Sequence, residues 1–144
     1  MPDRLHLPDL AATEALAARL AALAVPGDAL LLAGPLGAGK SALARAFLRA
    51  LSGDAALEVP SPSFTLVQSY ATPRGEAHHY DLYRLAGPEG LAELGWDDAR
   101  QGIVVVEWPE RLGGLAPEGA LRIALTPLDE TAREATLTGW EGRR

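Results

Sequence analysis

The chain has 144 residues, 48% of them apolar, a formal net charge of −6 and a sequence pI near 5.0. That length suits a single domain over residues 1–144, able to bury roughly two-thirds of its unfolded surface. The absence of cysteine excludes disulfides, thiolate metal sites and thiol nucleophiles. The acidity, with no basic run longer than Arg143-Arg144, argues against nucleic acid as the main ligand.

The N-terminal stretch carries charges at Asp3, Arg4, Asp9, Glu14 and Arg19, unlike a signal peptide. No apolar run approaches a membrane span, so a cytoplasmic protein is expected. Pro8-Asp9 marks a helix start, and Leu16, Leu20 and Leu23 form one apolar stripe behind it. Pro26-Gly27-Asp28 is a turn. Ala29 to Ala33 is an unbroken apolar run, as in a strand buried on both faces. A glycine-rich loop follows, then a second helix from about Lys40, with Leu43, Phe47 and Leu51 on one side. Ser52-Gly53-Asp54 ends it.

Alternating prolines keep Val59 to Ser63 out of a helix. Phe64 to Tyr70 reads as a strand, Thr72-Pro73-Arg74-Gly75 as a turn, and Ala77 to Tyr80 as the returning strand. Pro88 to Leu94 is a short helix, with Gly95 just past its end. Ile103 to Val106 is a second wholly apolar strand, closed by Glu107. Leu121 to Leu125 and Glu134 to Leu137 are weaker strand signals. The order predicts a single-domain α/β sandwich with a mixed, mostly parallel central sheet flanked by helices. Its ligands would gather at the C-terminal ends of parallel strands.

The strongest chemical signal is Gly34-Pro35-Leu36-Gly37-Ala38-Gly39-Lys40-Ser41, which fits G-x-x-x-x-G-K-[ST], the phosphate loop of P-loop NTPases. Its context is the required one: buried strand, glycine loop, helix. Successive backbone N–H groups make an anion nest, strengthened by the helix N-terminus. Lys40 is the only lysine beside twelve arginines. A compact ammonium reaches between phosphate oxygens where a planar guanidinium does not fit. In this scheme Lys40 bridges the β- and γ-phosphates, and the Ser41 hydroxyl binds Mg²⁺.

Such a site needs acids. Glu107 stands where a Walker B acid stands, to hold Mg²⁺ directly or through water, or to orient the attacking water. Asp81, closing His79-Tyr80-Asp81, is a second candidate at the same rim. His79 reads either as a supporting or base residue, or as a structural histidine. Ser61 to Thr65 is either a γ-phosphate-sensing loop or a plain connector. Arg84 either neutralises transition-state charge or pairs with Asp81 or Glu89. Trp108 either stacks at the site or packs in the core.

Together these segments resemble the TsaE (formerly YjeE) family of bacterial tRNA threonylcarbamoyladenosine synthesis. The family pattern G-D-L-G-A-G-K-T, S-P-T-F-T-L-V, H-x-D-L-Y-R-L and V-E-W stands here, in order, as Gly34 to Ser41, Ser61 to Val67, His79 to Leu85, and Val106-Glu107-Trp108. Pro35, Ser41 and Ser63 replace Asp, Thr and Thr. The two serines keep a hydroxyl, whereas Pro35 stiffens the loop and removes an acid. The resemblance implies ATP and Mg²⁺ as cofactors, with Asp81 and Glu107 as the functional acids. It gives Ser41 the metal-binding role of the family threonine and makes Ser61 to Thr65 a switch-like element. It further implies that Arg133 approaches the nucleotide from the C-terminal side, and that the segment near Leu10 helps cover the base.

The reaction implied is partner-stimulated ATP hydrolysis. It would keep a modifying machinery cycling, with TsaB and TsaD as partners and TsaD as the transferase that acts on the adenosine beside the anticodon. Two other readings use the same motif: a nucleotide switch that does not hydrolyse, and a small-molecule kinase. The kinase is disfavoured because no lid insertion is apparent. A GTPase of the usual kind needs a lysine in N-K-x-D, and Lys40 is already engaged.

Overall fold

The computed structural model describes residues 3–144. One sheet of seven strands runs through it, in the order β1-β7-β6-β2-β5-β4-β3. The strands are β1 (Asp3–Leu7), β2 (Ala29–Ala33), β3 (Val67–Thr72), β4 (Gly75–Asp81), β5 (Ile103–Glu107), β6 (Leu121–Pro127) and β7 (Arg133–Thr138). The central pairings β6–β2, β2–β5 and β5–β4 are parallel, and the outer pairings are antiparallel. The expected mixed sheet, parallel at its centre, is the one observed.

Helices α1 (Leu10–Leu23) and α2 (Lys40–Ser52) cover one face. Leu16, Leu20, Leu43, Phe47 and Leu48 meet Leu30, Leu32, Ile103, Val105, Leu121 and Ile123 there. The other face is covered over β2, β5 and β4 by two 3-10 helices, Pro88–Leu94 and Pro109–Leu115, and by the short helix α3 (Trp96–Ala99). Its core joins Leu31, Val104 and Val106 to Tyr80, Leu91, Trp96 and Leu112. Tyr80 sets its ring edge-on to Trp96 at 5.1 Å and donates its hydroxyl to Leu94 O at 2.8 Å. Burial pushes that phenol up to about 12.

The helix boundaries follow local chemistry. Asp9 caps α1, its carboxylate accepting from Ala12 N at 2.9 Å. Gly53 ends α2 in a left-handed conformation, φ 67°. One expected strand starts late. Leu66 N donates to Pro62 O at 2.7 Å, closing a turn over 62–66, and Leu66 leaves it at φ 68°. The strand therefore begins at Val67 rather than Phe64, and Phe64 stands 84% exposed at the tip of that turn. The edge strand β1, α3 and the 3-10 helix Pro109–Leu115 carry no periodicity long enough to read in sequence. Among the described residues, no helix is long and apolar enough to cross a membrane.

Candidate functional site

The parallel register decides what meets at the strand ends. Asp81 on β4 pairs with Glu107 on β5, and Glu107 also stands beside Leu32 on β2. The loop leaving β2 runs directly past both acids into α2. A cavity of about 500 Å³ opens here, lined by Leu36 to Ser41 from the loop, Ser61 and Ser63, and Asp81, Arg84, Glu107 and Trp108.

The loop needs its glycines. Gly34 sits at φ 146°, where a Cβ would lie 2.6 Å from Leu125 O of the neighbouring strand. Gly39 enters α2 at φ 99°. Among the described residues, no side-chain hydrogen bond caps that helix start, so its amides remain available to an anion.

Lys40 is only 5% exposed. Its ammonium donates to the carbonyls of Gly34 and Pro35 and lies 3.6 Å from the centre of the Trp108 indole. Burial pushes its pKa below 10.5, against the opposing pull of Glu107, Glu110 and Asp81. Trp108 reaches this place through a left-handed backbone, φ 61°, ψ 55°, rare for a bulky residue and costing on the order of 1–3 kcal/mol. Its indole touches both the ammonium and Tyr83, whose ring lies 4.9 Å away. It thus lines the site and also packs, partly buried, against the core beneath the 3-10 helices.

Ser41 Oγ donates to Glu107 Oε1 at 2.9 Å, joining the loop to the end of β5. The other oxygen of Glu107 lies 2.7 Å from His79 Nε2. Asp81 is buried beside them, and its Oδ1 accepts from Tyr83 N at 3.1 Å. Among the described residues, no group of three or more His, Cys, Asp or Glu side chains is arranged to hold a metal alone. One hydroxyl and two carboxylates beside a phosphate cradle instead fit Mg²⁺, which takes few protein ligands and completes its shell with phosphates and water.

Leu36, Gly37, Ala38, Gly39, Lys40 and Ser41 line the main cavity, whereas Pro35 contributes only its carbonyl to Lys40. Leu10 and Arg133 lie outside it. They line an adjoining cavity of about 260 Å³ with Asp9, Thr13, Gly39 and Thr131. Arg133 also holds the loop from behind, donating to Ala38 O at 3.0 Å and Gly37 O at 3.2 Å. Ser61 and Ser63 bond each other through their hydroxyls at 2.9 Å. Arg84 rests its guanidinium 4.8 Å from the centre of the Phe64 ring, and makes no ion pair with Asp81 or Glu89 among the described residues. The tie between His79 and Glu107 was open in the sequence. Their separation of 28 residues carries no periodicity, and only the β4–β5 register reveals it.

Comparison with known proteins shows the family. The family described as threonylcarbamoyl adenosine biosynthesis protein TsaE matches residues 7–135. A "tRNA threonylcarbamoyladenosine biosynthesis protein TsaE" from Rickettsia felis is 38% identical over 122 residues, 84% of this chain and 71% of that protein. One of the same name from Bacillus subtilis is 34% identical over 128 residues, 88% of this chain and 78% of that protein. The crystal structure of Bacillus subtilis YdiB superposes with a TM-score of 0.74 at 30% identity, covering 96% of this chain and 86% of that one. The chain, with its phosphate loop and paired strand-end acids, belongs to the TsaE family.

Proposed function

We propose that the chain binds ATP with Mg²⁺ and hydrolyses it, as the ATPase component of cytoplasmic tRNA threonylcarbamoyladenosine synthesis, in concert with TsaB and TsaD. Membership of the TsaE family implies nucleotide binding. The observation that carries the finer reading is the Ser41–Glu107 hydrogen bond of 2.9 Å, at the mouth of a glycine loop and next to Asp81. In P-loop NTPases the loop hydroxyl and a strand-end acid together hold the metal.

The roles divide by which oxygens are engaged. The α2 amides and the loop N–H groups bind the phosphates, and Lys40 places its charge against the β- and γ-oxygens. Ser41 and Glu107 would hold Mg²⁺, which supplies neutralisation of the charge that develops on the transferred phosphoryl group. Both Glu107 oxygens already have partners, Ser41 and His79. Asp81 has one oxygen on Tyr83 N, which leaves its second carboxylate oxygen to orient and deprotonate the attacking water. Leu10 and Arg133 border the adjoining cavity, which we assign to the base.

The test is single-turnover hydrolysis with TsaB and TsaD present. Asp81→Asn is expected to keep ATP binding and lose about 10²–10⁴-fold in rate. Glu107→Gln is expected to lose the Mg²⁺-dependent part of ATP affinity. Parent-like hydrolysis by Asp81→Asn would remove Asp81 from the reaction. Binding with no hydrolysis in the parent would make the chain a switch instead. Competition of ATP against GTP, read in the same assay, is expected to favour ATP.

A further inference from the structure

We propose that His79 is a positioning residue: its Nε2–H holds Glu107 Oε2, so that Oε1 is turned to the Ser41 hydroxyl at the metal side of the site. The inference rests on the ATP–Mg²⁺ reading above and goes beyond it, because His79 touches neither nucleotide nor water there.

The geometry is that of a chain of three groups. His79 Nε2 lies 2.7 Å from Glu107 Oε2, and Ser41 Oγ lies 2.9 Å from Glu107 Oε1. In the β4–β5 ladder His79 pairs with Val105, and Asp81 with Glu107, so the imidazole reaches its carboxylate diagonally across one face of the sheet. His79 is 1% exposed and Glu107 2%. Such a ring is not placed to take a proton from water, and its one engaged nitrogen is already committed.

The direction of the chain follows from the atoms left over. Among the described residues, His79 Nδ1 is buried with no hydrogen-bond partner. A proton there would be a buried donor with nothing to receive it, which costs about 1–3 kcal/mol. The proton therefore sits on Nε2 and is donated to the carboxylate. Ser41 donates to the other oxygen, which leaves its Oγ lone pairs for a cation. A carboxylate at the end of a flexible side chain has a broad terminal torsion. Donors on both oxygens remove that freedom. Residues that orient a ligand in this way are worth about 10–100-fold in metal affinity.

Magnesium titration of the ADP-loaded protein by calorimetry tests this without hydrolysis, using the parent, His79→Leu, His79→Gln and His79→Asn. The glutamine amide nitrogen is as many bonds from Cα as Nε2, whereas that of asparagine falls at Nδ1. His79→Leu and His79→Asn are expected to lose about 10–100-fold in Mg²⁺ affinity, and His79→Gln to recover most of it. The loss should be absent from metal-free ADP binding, which the phosphate loop carries. Parent-like Mg²⁺ affinity in His79→Leu, equal loss without metal, or Asn matching Gln would each overturn the proposal. If His79→Leu does not fold, the Gln and Asn pair decides. A parent that binds no ADP defeats the ATPase reading itself. The imidazole nitrogens then decide separately by NMR: an Nε2–H tautomer that Glu107→Ala abolishes supports the positioning, and an Nδ1–H tautomer refutes it.

Discussion

His78 and His79 are adjacent and point to opposite faces of β4. His79 meets Glu107, whereas His78 has its Nδ1 2.7 Å from Ser69 Oγ on the hairpin partner β3 and its Nε2 3.7 Å from Glu76 on its own strand. Burial is the larger influence on His78 and lowers its pKa below 6.5, with Glu76 opposing. The unfolded chain then takes up a proton at higher pH than the folded one, so stability falls as pH drops from 6.5 towards the folded value. Urea midpoints measured across that window should show the parent losing ground against His78→Gln, and parallel profiles would contradict the assignment. Lys40, Ser41, Asp81 and Glu107 were legible as residues because motif and strand end mark each of them. What each one touches was not. Trp108 over the ammonium depends on a left-handed backbone at a bulky residue, which no propensity suggests.

At the scale of elements, α1 has no basic residue in its last turn, and a distant turn supplies the cation instead. Arg74, from the β3–β4 hairpin, donates to Ala21 O at 2.9 Å, Ala22 O at 3.0 Å and Ala24 O at 2.8 Å. It satisfies carbonyls that a helix end leaves open and places positive charge at the negative end of the dipole. Arg74→Ala is expected to lower unfolding stability by about 1.5–3 kcal/mol, read from denaturant unfolding at constant m-value. Most elements were readable where a period or a cap was present, as in α1 behind Asp9 and α2 before Gly53. The late start of β3 has a plain cause. Pro62 accepts a turn bond from Leu66, so a run that looks like a strand by composition first completes a turn. The edge strand β1 was hidden because it is short and is defined by its pairing with β7.

For the whole molecule, the sheet order places β2, β4 and β5 so that the phosphate loop and both acids open at one edge. The whole chain carries a net charge of −6, which suits the proposed role of driving a machinery by nucleotide turnover without itself gripping RNA. In the proposed function this one site turns over ATP, with Lys40 as its indispensable cation. The most direct measurement is steady-state ATP turnover of the parent and Lys40→Arg, each with and without TsaB and TsaD. The Lys40 ammonium reaches two loop carbonyls and the Trp108 indole, and a planar guanidinium would not present the same compact charge between phosphate oxygens. The partners are expected to raise parental turnover, and Lys40→Arg to fall by about 10²-fold or more while the protein stays folded. Near-parental turnover in a folded Lys40→Arg protein would contradict it.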